Sequence, residues 1–489
     1  MRKPESLWST STVLSADSVE SHPLHRGLFA LGTYQVEKEE EGEARSPDQT
    51  KDVEEADEEA QDSPQPSQGP AYSRSGRCYL RNVEILDDNR VECSLLQQIE
   101  MPAILDMKWT LAHPSQTTPT ERDSQDRRSG GILGIANSVG EISLQALSLS
   151  SSVLRRTLAA ESARLEQFKN LRMNPKKALC LSLDWSDRRG GHVGGYDSST
   201  LARDTSLIVS QSDGTLAFLP SLSDALRFDD HDQVPGVEQS LTALCVSEDT
   251  TGDDDEEEDE DEDEEGGGSD LEGHLDQASS WEGKPAGLET WKAHDYEAWI
   301  ASFDCWSSGR VVWSGGDDLK LKGWDLRSAN KAKSGRKPTF SVERGFEGGV
   351  TSLQSHHLRE NLWAVGSYDS KVRIFDSRMM ASSRPRSRPV SEVEVGGGVW
   401  RLKWHPSDPK RLLVGCMHDG FKVLRLDSPG EEEQNDPQME VVTRFDRHQS
   451  LAYGCDWDRG ITNQDDDEGS GLVLSCSFYD AMFHIWKAS

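Results

Sequence analysis

A pattern of apolar strand, tight turn ending in aspartate and second apolar strand recurs through the second half of this 489-residue chain. Its clearest copies cover residues 311–325, 362–376, 412–424 and 472–486. The turn residues Asp318, Asp369 and Asp419 lie about 50 residues apart. Apolar alternation with a period of two predicts β-strands. Its regular recurrence predicts a repeat architecture, in which each copy buries its apolar face against the next copy.

The spacing and residue types of this repeat are typical of WD-repeat propeller blades, and Trp324 and Asp325 form the dipeptide of that name. Weaker copies at 16–34, 104–144 and 181–216 bring the predicted number of blades to seven. The predicted fold class is therefore all-β, a single seven-bladed WD-repeat β-propeller over residues 6–489. The last copy ends without an outer strand, and we expect residues 6–13 to supply it, closing the ring and covering the sheet edges.

Long acidic inserts account for much of the formal net charge of −34. The segments 37–75 and 225–285 are short of apolar residues, and the second contains an uninterrupted acidic run at 253–265. We predict that both are disordered acidic inserts. Shorter polar inserts are predicted at 110–130, 186–204, 428–438 and 459–470. Since the sequence has no basic stripe, we expect no nucleic-acid partner; an acidic body suits a cationic partner or substrate group instead.

The sequence also bears on location and cofactors. No run approaches the roughly 18 consecutive apolar residues of a membrane-spanning helix, and the start lacks the apolar core of a secretory signal. The eight cysteines include no C-x-x-C pair. We therefore predict a cytoplasmic protein with reduced thiols. We also expect a monomer with no membrane partner, no metal site and no cofactor.

Candidate site residues come from the expected geometry of a propeller, in which the loops between blades and the aspartate turns emerge on one face. His294, Glu297, Trp400, His418 and Tyr479 could thus converge around the central channel. A structural role within its own blade is the alternative for His294.

Asp17 and Asp106 lie in predicted innermost strands, where apolar or small residues are commoner. They are either capped by backbone amides or used at the channel. No G-x-S-x-G, H-E-x-x-H or phosphate-binding glycine loop is present in the sequence. The residue pattern alone predicts a propeller scaffold, and a non-catalytic adaptor remains the alternative function.

Several stretches resemble one particular WD-repeat family more closely than propellers in general. The most specific are AHDYEAWIA at 293–301, GSYD at 366–369, GGVWRLKWHP at 397–406, CMHDGFK at 416–422 and SCSFYD at 475–480. From about residue 14 to 486 the chain is similar to the diphthine methyl esterase family of diphthamide biosynthesis, formerly called diphthine methyltransferase.

The resemblance implies a carboxylic ester hydrolase that removes the methyl ester of methylated diphthine on elongation factor 2, releasing methanol and needing no cofactor. A methyltransferase is a weaker alternative, because no glycine-rich loop suggests a site for S-adenosylmethionine. The modified histidine also bears a trimethylammonium group, which aromatic faces and carboxylates attract. The expected cage consists of Trp299, Trp400, Tyr453 and Tyr479 with Asp17, Asp106 or Glu297.

Hydrolysis needs an activated water or a nucleophile, and donors for the oxyanion. We expect His294 or His418 to act as general base, with Glu297 orienting it. Arg401 is expected to stabilise the oxyanion or to hold the product carboxylate. Ser477 or Cys476 as a covalent nucleophile is the alternative.

Overall fold

The computed structural model describes most of the chain outside the predicted inserts. The described residues are 1–38, 72–86, 90–111, 127–150, 163–187, 204–227, 281–328, 335–380, 388–427, 437–459 and 471–488. Most of the predicted inserts 37–75 and 225–285, including the acidic run, lies outside these ranges.

Strands dominate the described residues, which contain only two short helices, α1 Leu222–Arg227 and α2 Ser377–Met380. The strands form seven antiparallel sheets, one per blade. The innermost strands of blades 1 to 7 are β2 Ala16–Ser21, β7 Ile104–Thr110, β11 Cys180–Trp185, β15 Ile300–Phe303, β19 Val350–Ser355, β23 Arg401–Trp404 and β27 Ala452–Trp457. The second strands are β3 Leu28–Thr33, β8 Arg127–Asn137, β12 Leu207–Gln211, β16 Val311–Gly315, β20 Leu362–Ser367, β24 Arg411–Gly415 and β28 Leu472–Ser477.

Two further layers of strands complete each blade. The third strands are β5 Tyr72–Ile85, β9 Glu141–Ser150, β13 Thr215–Leu219, β17 Leu321–Asp325, β21 Lys371–Asp376, β25 Phe421–Asp427 and β29 Met482–Lys487. The outer strands are β4 Gln35–Lys38 and β6 Val91–Pro102 in blade 1, β10 Ala163–Arg172, β14 Glu289–Lys292, β18 Phe340–Val342, β22 Ser391–Glu394, β26 Gln438–Phe445 and, in blade 7, β1 Ser6–Ser11.

The blades form a closed ring, because each innermost strand packs against the innermost strand of the next blade and β27 packs against β2. Closure uses the N-terminal strand as predicted: β1 pairs with β29, placing Ser9 opposite His484 and Thr10 opposite Phe483. The fold class, an all-β seven-bladed propeller, is confirmed.

Blade 1 departs from the expected pattern. Its strands β5 and β6 span 14 and 12 residues, and neither was predicted from the sequence. Strands β4 and β5 also extend into the segment 37–75, which the sequence predicts to be an insert. Strand β6 packs Leu96, Ile99 and Met101 against one core cluster and Val91 and Cys93 against another, and its backbone pairs with β5.

Tryptophans fasten neighbouring blades to each other. The indole N–H of Trp185, at the end of β11, donates to the Lys108 carbonyl in blade 2 at 3.0 Å. Trp457 donates in the same way to Lys403 in blade 6 at 2.9 Å. Each of these side chains is fully buried between two sheets and also pairs a buried carbonyl in the neighbouring blade.

Candidate functional site

A cavity on the channel axis is lined by one residue from each of the seven blades, at an equivalent position near the start of the innermost strand. In five of these strands the pairing register shifts at that position, and such bulges redirect a side chain. In blades 4 and 6 the residue immediately precedes the strand. The seven residues, from blade 1 to blade 7, are Asp17, Leu105, Leu181, Trp299, Thr351, Trp400 and Tyr453.

The cavity has a volume of about 160 Å³, and Tyr34, Arg401 and Phe478 also line it. Leu105 and Leu181 form an aliphatic wall, whereas blades 4, 6 and 7 contribute aromatic rings. The Thr351 hydroxyl donates to the Val399 carbonyl. The cavity is therefore a small apolar chamber with one carboxyl and one guanidinium group.

The aromatic wall is continuous. Ring centroids of Trp299 and Trp400 are 5.8 Å apart, and Tyr453 stacks on Trp400 at 4.8 Å. Phe478 follows Tyr453 at 5.1 Å, and Tyr368 supports both tryptophans from behind at 5.9 and 6.1 Å. Such clustered faces provide the negative potential that attracts an organic cation.

Hydrogen bonds and burial hold this wall in one state. The Trp299 indole N–H donates to Asp317 at 3.0 Å, which fixes the orientation of the ring. Burial raises the pKa of both Tyr368 and Tyr453, so these phenols remain neutral at physiological pH. The wall therefore presents rings without formal charge.

Asp17 and Arg401 lie side by side at the cavity. Asp17 is 5% exposed, and its Oδ2 lies 3.8 Å from Arg401 Nη2, beyond hydrogen-bonding distance. Arg401 Nη2 instead donates to the Leu105 carbonyl at 2.9 Å. Burial raises the pKa of Asp17 to about 7, against the opposing effect of the Arg401 charge.

Asp106 lies beneath this pair and does not line the cavity. Its Oδ1 is 2.5 Å from Lys108 Nζ and 3.5 Å from Arg401, and its Oδ2 accepts the Leu183 amide at 3.2 Å. Although burial alone would raise it, Lys108 and Arg401 hold the pKa of Asp106 below its usual value. Asp106 is thus a charged partner for Arg401, and the expectation that it contacts substrate is not supported.

His294 forms hydrogen bonds within its own blade. Its Nδ1 bonds to Asp318 at 2.8 Å and its Nε2 to the Ser314 hydroxyl at 2.8 Å, and Ser314 also accepts the Trp324 indole N–H. The residue is 1% exposed, and burial lowers its pKa. Both ring nitrogens of His294 therefore hold its own blade together and neither lines the cavity, as in the structural role given as the alternative.

The two alternative nucleophiles are also unavailable. The Ser477 hydroxyl donates to Asp480 and bonds to His448 Nδ1. Cys476 is fully buried, and burial raises the pKa of its thiol well above the usual value, which leaves it protonated. Both side chains serve the packing of blade 7.

Three other predicted site residues lie outside the cavity. His418 and Tyr479 are exposed and line a neighbouring groove of about 520 Å³, together with Asp419, Arg444 and His448. Glu297 is half-buried, near enough to contribute to the raised pKa of Tyr368. Of the predicted site residues, the structure thus brings together Asp17, Trp299, Trp400, Arg401 and Tyr453.

Three aromatic residues at the site were not predicted from the sequence, and they occupy an equivalent position in their blades. Tyr34, Tyr368 and Phe478 each directly follow the second strand of their blade. Two of them lie in the family-like stretches at 366–369 and 475–480. Alignment of the blades by their second strands would have shown an aromatic residue at this position in blades 1, 5 and 7.

Two searches of the described residues were negative. They contain no group of three or more His, Cys, Asp or Glu side chains that could hold a metal ion. None of their helices is long and apolar enough to cross a bilayer.

Comparisons with known proteins point to one family. The chain is 30% identical over 458 residues to human diphthine methyltransferase, covering 92% of this chain and 74% of that protein. Identity to mouse diphthine methyltransferase is also 30%, over 92% of this chain and 69% of the relative. The Dictyostelium discoideum diphthine methyltransferase homolog is 39% identical over 40% of this chain and 51% of its own length.

Other comparisons add the fold alone. A chain in the crystal structure of the mitotic checkpoint complex superimposes with a TM-score of 0.50 at 12% identity, covering 100% of this chain and 92% of that chain. No protein-family model matches the sequence.

Proposed function

Because this chain belongs to the diphthine methyltransferase family, we propose that it acts in diphthamide biosynthesis by hydrolysing the methyl ester of methylated diphthine on elongation factor 2. The observation that carries the proposal is the axial cavity, in which an aromatic wall meets a carboxyl group. The substrate combines a quaternary ammonium and a methyl ester on one modified histidine.

The trimethylammonium group suits this cavity. A quaternary ammonium has no N–H to donate, so it gains little from ordinary polar pockets and is held by aromatic faces and nearby negative charge. Trp299, Trp400 and Tyr453 supply the faces and Asp17 supplies the charge. Tyr34 and Phe478 complete the enclosure.

The ester would then lie beside Arg401. Since the ammonium and the ester belong to the same modified side chain, binding of the ammonium in the cavity brings the ester close to it. Arg401 carries five N–H donors, and its bond to the Leu105 carbonyl uses one nitrogen. We propose that other guanidinium donors stabilise the oxyanion or hold the product carboxylate.

The size of the cavity favours hydrolysis over methyl transfer. At about 160 Å³ it accommodates a head group, whereas pockets for larger organic ligands measure roughly 300–1,000 Å³. Water is then the second reactant. The name of the relatives, diphthine methyltransferase, keeps methyl transfer as the second candidate.

The decisive experiment is mass spectrometry of elongation factor 2 that carries the methyl ester, incubated with the purified chain and no added cofactor. Loss of one CH₂ with the trimethylammonium retained, and methanol released, supports hydrolysis. A mass change that requires S-adenosylmethionine supports methyl transfer. No change under either condition, with the substrate verified, returns the chain to the non-catalytic adaptors.

A further inference from the structure

Asp17 is the one carboxylate among the seven equivalent residues on the channel axis, the other six being Leu105, Leu181, Trp299, Thr351, Trp400 and Tyr453. We propose that Asp17 is the general base that activates water for ester hydrolysis. This assignment rests on the proposed function and goes beyond it, because it names the group that moves the proton.

The setting of Asp17 differs from that of an acid with a structural role. It is more than nine-tenths buried and lines the cavity, while its nearest cation, Arg401, is too distant for a direct hydrogen bond. Asp106, one layer below, is held by Lys108 and by a backbone amide. Two neighbouring carboxyl groups with such different surroundings can divide the work, one fixing Arg401 and the other exchanging protons.

The Trp400 indole supports the same assignment. Its Nε1 is buried and lies close enough to Asp17 to favour the charged form of that carboxyl group, but it forms no hydrogen bond of good geometry with any described residue. A donor left unpaired beside a carboxyl group at the cavity is costly unless a ligand or water completes the site. The position is therefore consistent with a reacting water held between Asp17 and the substrate.

The proton balance is simple. Asp17 accepts a proton from water as the water oxygen bonds to the ester carbonyl carbon, and the resulting oxyanion faces Arg401. The bond between that carbon and the methoxy oxygen then breaks, and Asp17 returns its proton to the departing oxygen to give methanol. The product acid then releases its remaining water proton to solvent, and the resulting carboxylate pairs with Arg401. A carboxylate base and water suffice for this reaction without a covalent nucleophile.

The charges around Asp17 poise it for this exchange. Burial raises its pKa to about 7, near the pH at which a general base works best. The titratable and charged groups that face it are Asp106 and Lys108 from β7, Arg401 from β23, Tyr453 from β27, Cys476 from β28 and Tyr368 after β20. A bound trimethylammonium adds a positive charge and lowers this pKa, which favours the charged, active base in the complex.

The test combines a variant with pH profiles of the wild-type protein acting on ester-bearing elongation factor 2. We expect Asp17→Asn to lower kcat by roughly 10²- to 10⁴-fold. We expect Asp325→Asn, a matched change at a partly exposed ion pair with Arg327, to leave it unchanged. In the wild type kcat/KM should rise with pH to a plateau with an apparent pKa near 7, and kcat should show a lower value.

The outcomes separate the assignment from the proposed function. If the wild type does not hydrolyse the ester, the proposed function fails and the assignment fails with it. If the wild type is active but Asp17→Asn keeps its kcat and only raises KM, Asp17 binds the cation and is not the base. The pH profile of the wild type tests the assignment whether or not the variant folds. If its kcat/KM does not depend on an ionisation near neutral pH, the assignment is overturned.

Discussion

At the scale of single residues, the site depends on the different pKa values of two buried carboxyl groups, Asp17 and Asp106, in neighbouring blades. Asp106 has Lys108 within 2.5 Å and stays charged, while Asp17 has no cation that close and holds its proton up to about pH 7. The sequence does not distinguish these two residues, because both are acids in innermost strands. The difference arises from the register shift that turns Asp17 toward the cavity.

Asp17 should therefore reduce the stability of the folded protein at high pH. Its folded pKa is about 7, above the ordinary value of 3.8, so between these values the unfolded chain has released a proton that the folded chain retains. Stability consequently falls as pH rises through this window. We expect Asp17→Asn to raise the free energy of unfolding at about pH 8 by on the order of a few kcal/mol, and by less at about pH 5. Denaturant titrations at both pH values measure this; an equal effect at both contradicts the prediction.

The aromatic wall should control substrate affinity. Replacing Trp299 with leucine removes one face of the cage and the bond to Asp317, and we expect KM to rise by about 2- to 30-fold, the equivalent of ~0.5–2 kcal/mol. Trp306→Leu is the matched control, because this tryptophan is 41% exposed and lies outside the cavity lining. Steady-state kinetics with ester-bearing elongation factor 2 provide the measurement. Equal KM values for the two variants would contradict a role of the aromatic wall in binding the substrate.

At the scale of elements, several blades are held to their neighbours by side chains at the end of an innermost strand. Trp185 and Trp457 donate across the interface. Histidines follow directly after β2, β19 and β23, and the ring Nδ1 of each accepts backbone amides of the next few residues. These contacts recur because the strands end at the same level of the ring.

The tryptophan hydrogen bond can be isolated with two fully buried residues. Trp185 donates to the Lys108 carbonyl, whereas the Trp363 indole N–H has no partner among the described residues. We expect Trp185→Phe to destabilise the protein by about 1–3 kcal/mol more than Trp363→Phe, since only the first removes a buried hydrogen bond. Urea unfolding of both variants measures the difference. Equal losses would mean that these indoles contribute volume alone.

The buried histidines should make the ring sensitive to acid. Burial lowers the pKa of His22 to about 3 and of His356 and His405 to about 4, from 6.5. The unfolded chain therefore binds more protons below pH 6.5, and stability is lost as pH falls from there toward the folded values. We expect His405→Gln to weaken this pH dependence. Unfolding free energies at about pH 7 and about pH 5 give the slope; an unchanged slope in the variant contradicts the assignment.

At the scale of the whole molecule, closure of the ring depends on strand β1 from the opposite end of the chain. Without β1, strand β29 would present an unpaired edge, and such edges promote association. Closure also holds blades 1 and 7 together, and these two blades supply Asp17, Tyr34, Tyr453 and Phe478 to the cavity. Fold stability and site geometry are thus linked through one terminal strand.

Deletion of residues 1–11 should lower the melting temperature and cause concentration-dependent association, because it removes β1. Deletion of residues 1–5 is the control, since it ends before the strand begins. Thermal melts and light scattering over a concentration series distinguish the two. Equal behaviour of the two truncations would show that the ring does not need this strand.

The sequence by itself determined the number of blades, the strands within most of them and the exchange that closes the ring. These features are local, because period-two apolar alternation encodes a strand and a repeat of about 50 residues encodes a blade. Together with the family resemblance, it also indicated Trp299, Trp400, Tyr453, Arg401 and Asp17 as site residues, because their chemistry suits a cation and an ester.

Only the tertiary structure decided which of these residues meet. The cavity takes one residue from each of seven blades, spread from Asp17 to Tyr453, and a shift of one residue in strand register turns a side chain to the opposite face. No sequence pattern shows that both ring nitrogens of His294 form hydrogen bonds within its own blade. Nor does any pattern show that His418 and Tyr479 line a separate groove. Those outcomes depend on long-range packing and on buried hydrogen bonds, which no local pattern encodes.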